Sequence, residues 1–268
     1  MFKTLLNLIF KSESVCSEVL VDASLLLPGF QFLRLPYELL VTIYTEWLGA
    51  RNIFQIDSAM CSKQHRPEWL PFLKDICKFK SVELNERNRQ AWLKWLTSRR
   101  VRASELVLIG PDIYCSRFER KLERWLNYCG SEVHSVVFNT CEGYTVQCIR
   151  ELCTNIRKIS LSNVNSMEPY WGVLRAKSDA LVTLTILASL DCSICEVIPA
   201  NVLFSSVRNL TVDMRLFNEK NVFIDFLSRF SSVHSLTLIR YRLFSYMVIA
   251  LNKNELREIL PNLKHCSL

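Results

Sequence analysis

The sequence predicts a mixed α/β fold in which short parallel strands and helices alternate as a repeating solenoid. Three observations predict it. An apolar-x-x-apolar-x-apolar spacing recurs seven times through residues 103–268. Its last two apolar places are two residues apart, as a strand with one buried face requires. The stretches between these strands carry apolar residues at helical spacing. One strand and one helix cannot cover their own apolar sides, whereas stacked neighbours can. The strands are therefore expected on the concave side as a parallel sheet, with the helices outside.

The seven copies are Ala103/Leu106/Leu108, Val133/Val136/Phe138, Ile156/Ile159/Leu161, Leu181/Leu184/Ile186, Val207/Leu210/Val212, Val233/Leu236/Leu238 and Leu263/Cys266/Leu268. Successive starts lie 30, 23, 25, 26, 26 and 30 residues apart. Those periods fall in or just beyond the range of leucine-rich repeats. Phe118–Leu122–Trp125–Leu126, Val146–Ile149–Leu152 and Val222–Phe226–Leu227–Phe230 are the clearest intervening helices. These residues resemble leucine-rich repeats of the intracellular cysteine-containing type. Cys141, eight residues after Val133, stands where that type places its cysteine, and Val164, Ser189, Arg215 and Tyr241 hold the equivalent places. The last copy has no helix after it. Either the array is longer than this sequence, or its end is covered by a partner or by Met247–Leu260.

Residues 35–78 read differently. Leu35-Pro36 opens an apolar helix in which Leu39, Ile43 and Trp47 share one face, with Leu40 and Leu48 beside them. Pro36 suits a first helical turn, and Gly49 suits a stop. Ile53, Ile56 and Met60 mark a second short helix ahead of Cys61. This succession resembles an F-box, a small all-α module that docks on the Skp-type adaptor of cullin–RING ubiquitin ligases. The resemblance implies adaptor binding through Leu35, Pro36, Leu39, Leu40, Ile43 and Leu48. Read from the residues alone, the same helices could instead be a cap over the first repeat. Residues 79–102 are expected to link the two parts, with a helix over 85–100 whose Trp92, Leu93, Trp95 and Leu96 pack on the repeats. Residues 1–34 carry a break at Pro28-Gly29 but no readable role.

The bulk composition fits a protein without a membrane span: no run of about 18 uncharged apolar residues occurs. Met1–Phe10 is apolar but is interrupted by Asn7 and closed by Lys11, without a small-x-small cleavage site. Eleven cysteines at irregular spacing suit reduced thiols, hence a cytoplasmic or nuclear protein. Cys192-x-x-Cys195 lacks a second ligand pair, so no metal is expected. None of the six glycines forms a phosphate-binding run, and no cofactor is expected. His65, His134, His234 and His265 come without oriented partners, so no catalytic residue is assigned and the protein is read as non-catalytic.

The candidate site is instead the outward side of the strands. One residue after the first apolar place stand Ser104, His134, Arg157, Val182, Arg208, His234 and Lys264. The central outward place holds Val107, Val137, Ser160, Thr185, Thr211, Thr237 and Ser267. Arg157, Lys158, Arg208 and His234 would give a basic edge, and Ser160, Thr185, Thr211 and Thr237 a line of hydroxyls that donate or accept. The edge is either a solvated rim or a landing strip for an acidic segment of a protein substrate. Nucleic acid is not expected, because no aromatic residues interleave with the stripe.

Overall fold

The computed structural model describes residues 36–43, 50–59, 66–76, 78–85, 89–110, 116–140, 143–164, 167–188, 202–217, 219–239 and 253–267. Two compact units divide the chain, Met1–Ile43 and Tyr44–Leu268. Helix α1 (Tyr37–Thr42) is the described element of the first, and Pro36 stands one residue ahead of it. Trp47, Leu48, Gly49 and Met60–His65 lie outside the described residues.

The second unit contains an open parallel sheet of eight strands in strict chain order, β1 to β8. The strands are β1 (Lys78–Leu84), β2 (Arg102–Ile109), β3 (Ser135–Asn139), β4 (Lys158–Val164), β5 (Thr183–Ala188), β6 (Asn209–Asp213), β7 (Ser235–Ile239) and β8 (His265–Ser267). The pairing aligns the apolar spacing place for place: Leu106 meets Val136, which meets Ile159, then Leu184, Leu210, Leu236 and Cys266. From Leu106 to Leu236 these central apolar side chains are fully buried, as burial of a single sheet face requires.

The two-residue gap that opens each apolar spacing has a backbone cause. Arg157 and Lys158, both exposed, donate their N–H groups to the one carbonyl of His134, at 2.8 and 3.0 Å. The Arg157 carbonyl in turn accepts from Val182 and Thr183, at 2.8 and 3.0 Å. The same fork recurs at the carbonyls of Val182, Arg208 and His234. Strands β4 to β8 thus enter the sheet with two consecutive amides turned to the preceding strand, before the alternation begins. At the other end, Gly110, Thr140 and Asn163 follow β2, β3 and within β4 at aligned places, with φ of 100°, 58° and 54°. The chain leaves these strands through a left-handed residue.

The expectation that 79–102 only links the two parts, with a helix over 85–100, is corrected. Residues 78–84 are a strand, and helix occupies only Arg89–Ser98. Phe79, Val82 and Leu84 repeat the apolar spacing, are buried, and pair with Ala103, Leu106 and Leu108. An extended segment with one apolar face is better satisfied by β2's open edge than by helix. Trp92, Leu93, Trp95 and Leu96 are buried, as expected.

Helices α2 (Ala50–Ala59) and α3 (Arg66–Ile76) precede β1, and α4 (Arg89–Ser98) follows it. Then come α5 (Ser116–Cys129), α6 (Tyr144–Leu152), α7 (Glu168–Lys177), α8 (Lys220–Ser228) and α9 (Lys253–Ile259). Helices α4 to α7 pack as sequence neighbours, as do α8 and α9. Helix α5 buries Leu122, Trp125 and Leu126, and the Trp125 indole donates to the Val101 carbonyl at 2.8 Å. At its end, a Cβ on Gly130 would lie 2.5 Å from the Leu152 carbonyl oxygen, so only glycine lets the α5 and α6 ends approach so closely.

A buried carboxylate ties the first three helices of this unit together. Asp57 on α2, only 3% exposed, accepts from the indole N–H of Trp69 at 2.9 Å and of Trp95 at 2.7 Å. Arg99 adds Nε at 2.9 Å and Nη2 at 3.3 Å. Phe54, one turn earlier, stacks on Trp92 at 5.3 Å and meets Trp95 edge-on at 5.6 Å. Asp57→Ala would strand two indole donors and a guanidinium, and is expected to cost about 3 kcal/mol in urea unfolding. Thr140→Asn should raise stability by about 1 kcal/mol in the same assay, since a β-branched residue is poorly suited to the left-handed region that Asn tolerates.

Candidate functional site

The outward side of the sheet carries the candidate recognition residues. Because the forks stack each strand entry on the last, Arg157, Val182, Arg208, His234 and Lys264 occupy one line across β4–β8. Arg157, Lys158, Arg208 and Lys264 are exposed, whereas Val182 and His234 are half-buried. Ser160, Thr185, Thr211 and Thr237 lie directly beside one another in the pairing, all half-exposed, and Ser267 continues the line by donating to the Thr237 hydroxyl at 3.1 Å. Of the eight expected recognition residues, Arg157, Arg208 and His234 thus fall in the entry line, Ser160, Thr185, Thr211 and Thr237 in the hydroxyl line, and Lys158 between the two, in register with Thr183.

The histidines have a local role. His234 Nδ1 lies 2.7 Å from the Ser232 carbonyl, and His134 Nδ1 lies 3.2 Å from the Asn155 carbonyl. A carbonyl only accepts, so Nδ1 carries the proton in both and Nε2 is left for other partners.

Several residues were not singled out from sequence. Lys80 occupies the rim place of β1, and its carbonyl accepts the Ser104 hydroxyl at 2.8 Å. Asn155, Ser206 and Asn262 each bind a carbonyl of the preceding repeat, at 2.7, 2.6 and 2.9 Å. Their shared place, one residue before the first apolar position, was the available signal. The β2 end of the rim is self-paired. Arg102 donates through Nε and Nη2 to the Tyr128 hydroxyl, at 3.3 Å each, and pairs with Glu132 at 3.1 Å. Arg100 lies over the same ring, 5.9 Å from its centre. Arg215, at the place of the family cysteine, instead neutralises the fully buried Asp213 at 2.6 Å.

The buried thiols differ from activated nucleophiles. Burial pushes Cys129 well above the usual thiol range, and Cys153 up to about 12 despite nearby Lys177. Nucleophilic thiols need the opposite shift. Among the described residues no group of three or more His, Cys, Asp or Glu side chains could hold a metal, and no helix is long and apolar enough to cross a membrane. Cys141, Cys192 and Cys195 lie outside the described residues.

Of the residues expected to meet an adaptor, Pro36 is exposed, Leu39 is 44% exposed and Ile43 is buried at 4%. Leu35, Leu48 and the Leu40 side chain lie outside the described residues. No protein-family model and no curated protein matches the chain. The paired substitution Arg157→Glu and Arg208→Glu touches exposed side chains only, and unfolding should shift by no more than about 0.5 kcal/mol.

Proposed function

We propose that the chain is a non-catalytic substrate-recognition subunit of a cullin–RING ubiquitin ligase. In this reading, 35–78 is an F-box-like module for the Skp-type adaptor, and 103–268 is a leucine-rich-repeat solenoid that holds a protein substrate. The protein would work in the cytoplasm or nucleus by bringing the substrate close to the transfer machinery. The observation that supports the recognition part is the outward sheet face, where a hydroxyl line runs across neighbouring strands and exposed cations recur on alternate strand entries. Repetition builds a long surface for an extended partner, whereas catalysis needs a few groups converging on one point.

A second reading, a repeat interaction scaffold with an N-terminal helical cap, has its own support. Asp57 binds α2 to α3 and α4 through Trp69, Trp95 and Arg99, which makes these helices part of the repeat body. Replacing Leu35 and Pro36 together with Ala separates the two readings. Each lost apolar contact is worth roughly 1.5–3 kcal/mol, so adaptor capture should fall by at least about tenfold while the repeats stay folded. If the unaltered chain does not bind the purified adaptor, the scaffold reading replaces the ligase one.

A further inference from the structure

The line of rim residues has a spacing as well as a charge. Strands in a sheet lie about 4.8 Å apart, so residues on alternate strands stand about 9.6 Å apart. Arg157, Arg208 and Lys264 stand in that way one residue ahead of β4, β6 and β8, linked by the forked carbonyls. All three are exposed, and among the described residues none forms an ion pair. Val182 and His234, half-buried, fill the places between them. Lys158 and His265 add basic groups in the next line.

The strand entries and outward strand places themselves carry no opposing charge. The stretches 155–161, 180–186, 206–212, 232–238 and 262–267 contain no Asp or Glu. Asp179 is one place outside, and its carbonyl holds Ser206. The same stretches contain no Phe, Tyr or Trp, so nucleobases would have nothing to stack on. From Arg157 to His234 the backbone of the rim is occupied too, since the forks use both its donors and its acceptors. Recognition along that stretch is left to side chains.

Building on the reading of this face as the recognition surface, we propose that it binds an acidic polyproline-II segment with a carboxylate at every third residue, running across the strands. A polyproline-II helix has three residues per turn and rises about 3.1 Å per residue, so every third side chain returns to one face after about 9.3 Å. That repeat matches the separation of Arg157, Arg208 and Lys264. A flat β-strand ligand places residues i and i+3 on opposite faces and cannot meet all three. Arginine forks suit carboxylates, while Val182 offers an apolar floor between two of the cations.

The test is fluorescence anisotropy on the full chain with two labelled peptides of equal composition. One has five Glu-Pro-Pro units; the other has five contiguous Glu followed by ten Pro. The periodic peptide should bind about tenfold more tightly, and Arg157→Glu with Arg208→Glu should reduce its binding by about tenfold or more. Arg157→Gln with Arg208→Gln reads the same contacts if the reversal fails to fold. Lys94→Glu, on α4 and exposed, should leave binding unchanged. Equal binding of both peptides, no binding at millimolar peptide, or insensitivity to the Arg substitutions would each overturn the proposal. Tighter binding of a thymidine 15-mer would overturn it in favour of nucleic acid. Adaptor capture depends on residues 35–48, so its failure would leave these outcomes unchanged.

Discussion

The forked carbonyl at the entries of β4 to β8 is the constraint on which the rest of this unit depends. A parallel sheet needs every strand to start at the same level, and side-chain burial alone leaves slippage by two residues open. The fork closes that option. His134, Arg157, Val182, Arg208 and His234 each offer one oxygen to two successive amides of the next strand. Two successive outward residues at the entry then bring the following apolar residue onto the buried face. The rim is consequently a line of aligned side chains, although the connections behind it differ in length.

That constraint is also why the sheet was legible in the sequence and other features were not. The spacing of Val136, Ile159, Leu184, Leu210 and Leu236 reports burial directly, and the structure pairs these residues in register. Phe79, Val82 and Leu84 carry the same signal. They stand directly before a Trp-rich helical stretch, whose stronger periodicity masks a single strand. Asp57 was illegible for a different reason. An acid in an amphipathic helix normally faces water, and nothing local announces that Trp69, Trp95 and Arg99 will converge on it from as far as 42 residues away. Arg215 departs from the cysteine pattern because its role is to neutralise Asp213, two residues earlier.

Electrostatics divide the rim into two kinds of surface. Near β2, Arg102 is held by Tyr128 and Glu132, so its charge is largely spent within the molecule. From β4 onward the cations have no such neighbours among the described residues. A charge already paired contributes little to an incoming partner, whereas an unpaired exposed one can steer it. The candidate site is therefore confined to the later strands, although the rim itself begins at Lys80.

The fork has a mechanical side as well. Each strand bonds only to its neighbours in the chain, so a load applied between the two ends would be carried in series through similar junctions. Once the weakest junction parts, the others are still intact, and the stack would peel one repeat at a time instead of collapsing together. With repeat starts 23 to 30 residues apart, each step would release about 80–100 Å of extended chain. A molecule held in this way is extensible in increments, and can yield locally under traction while its remaining strands keep their register.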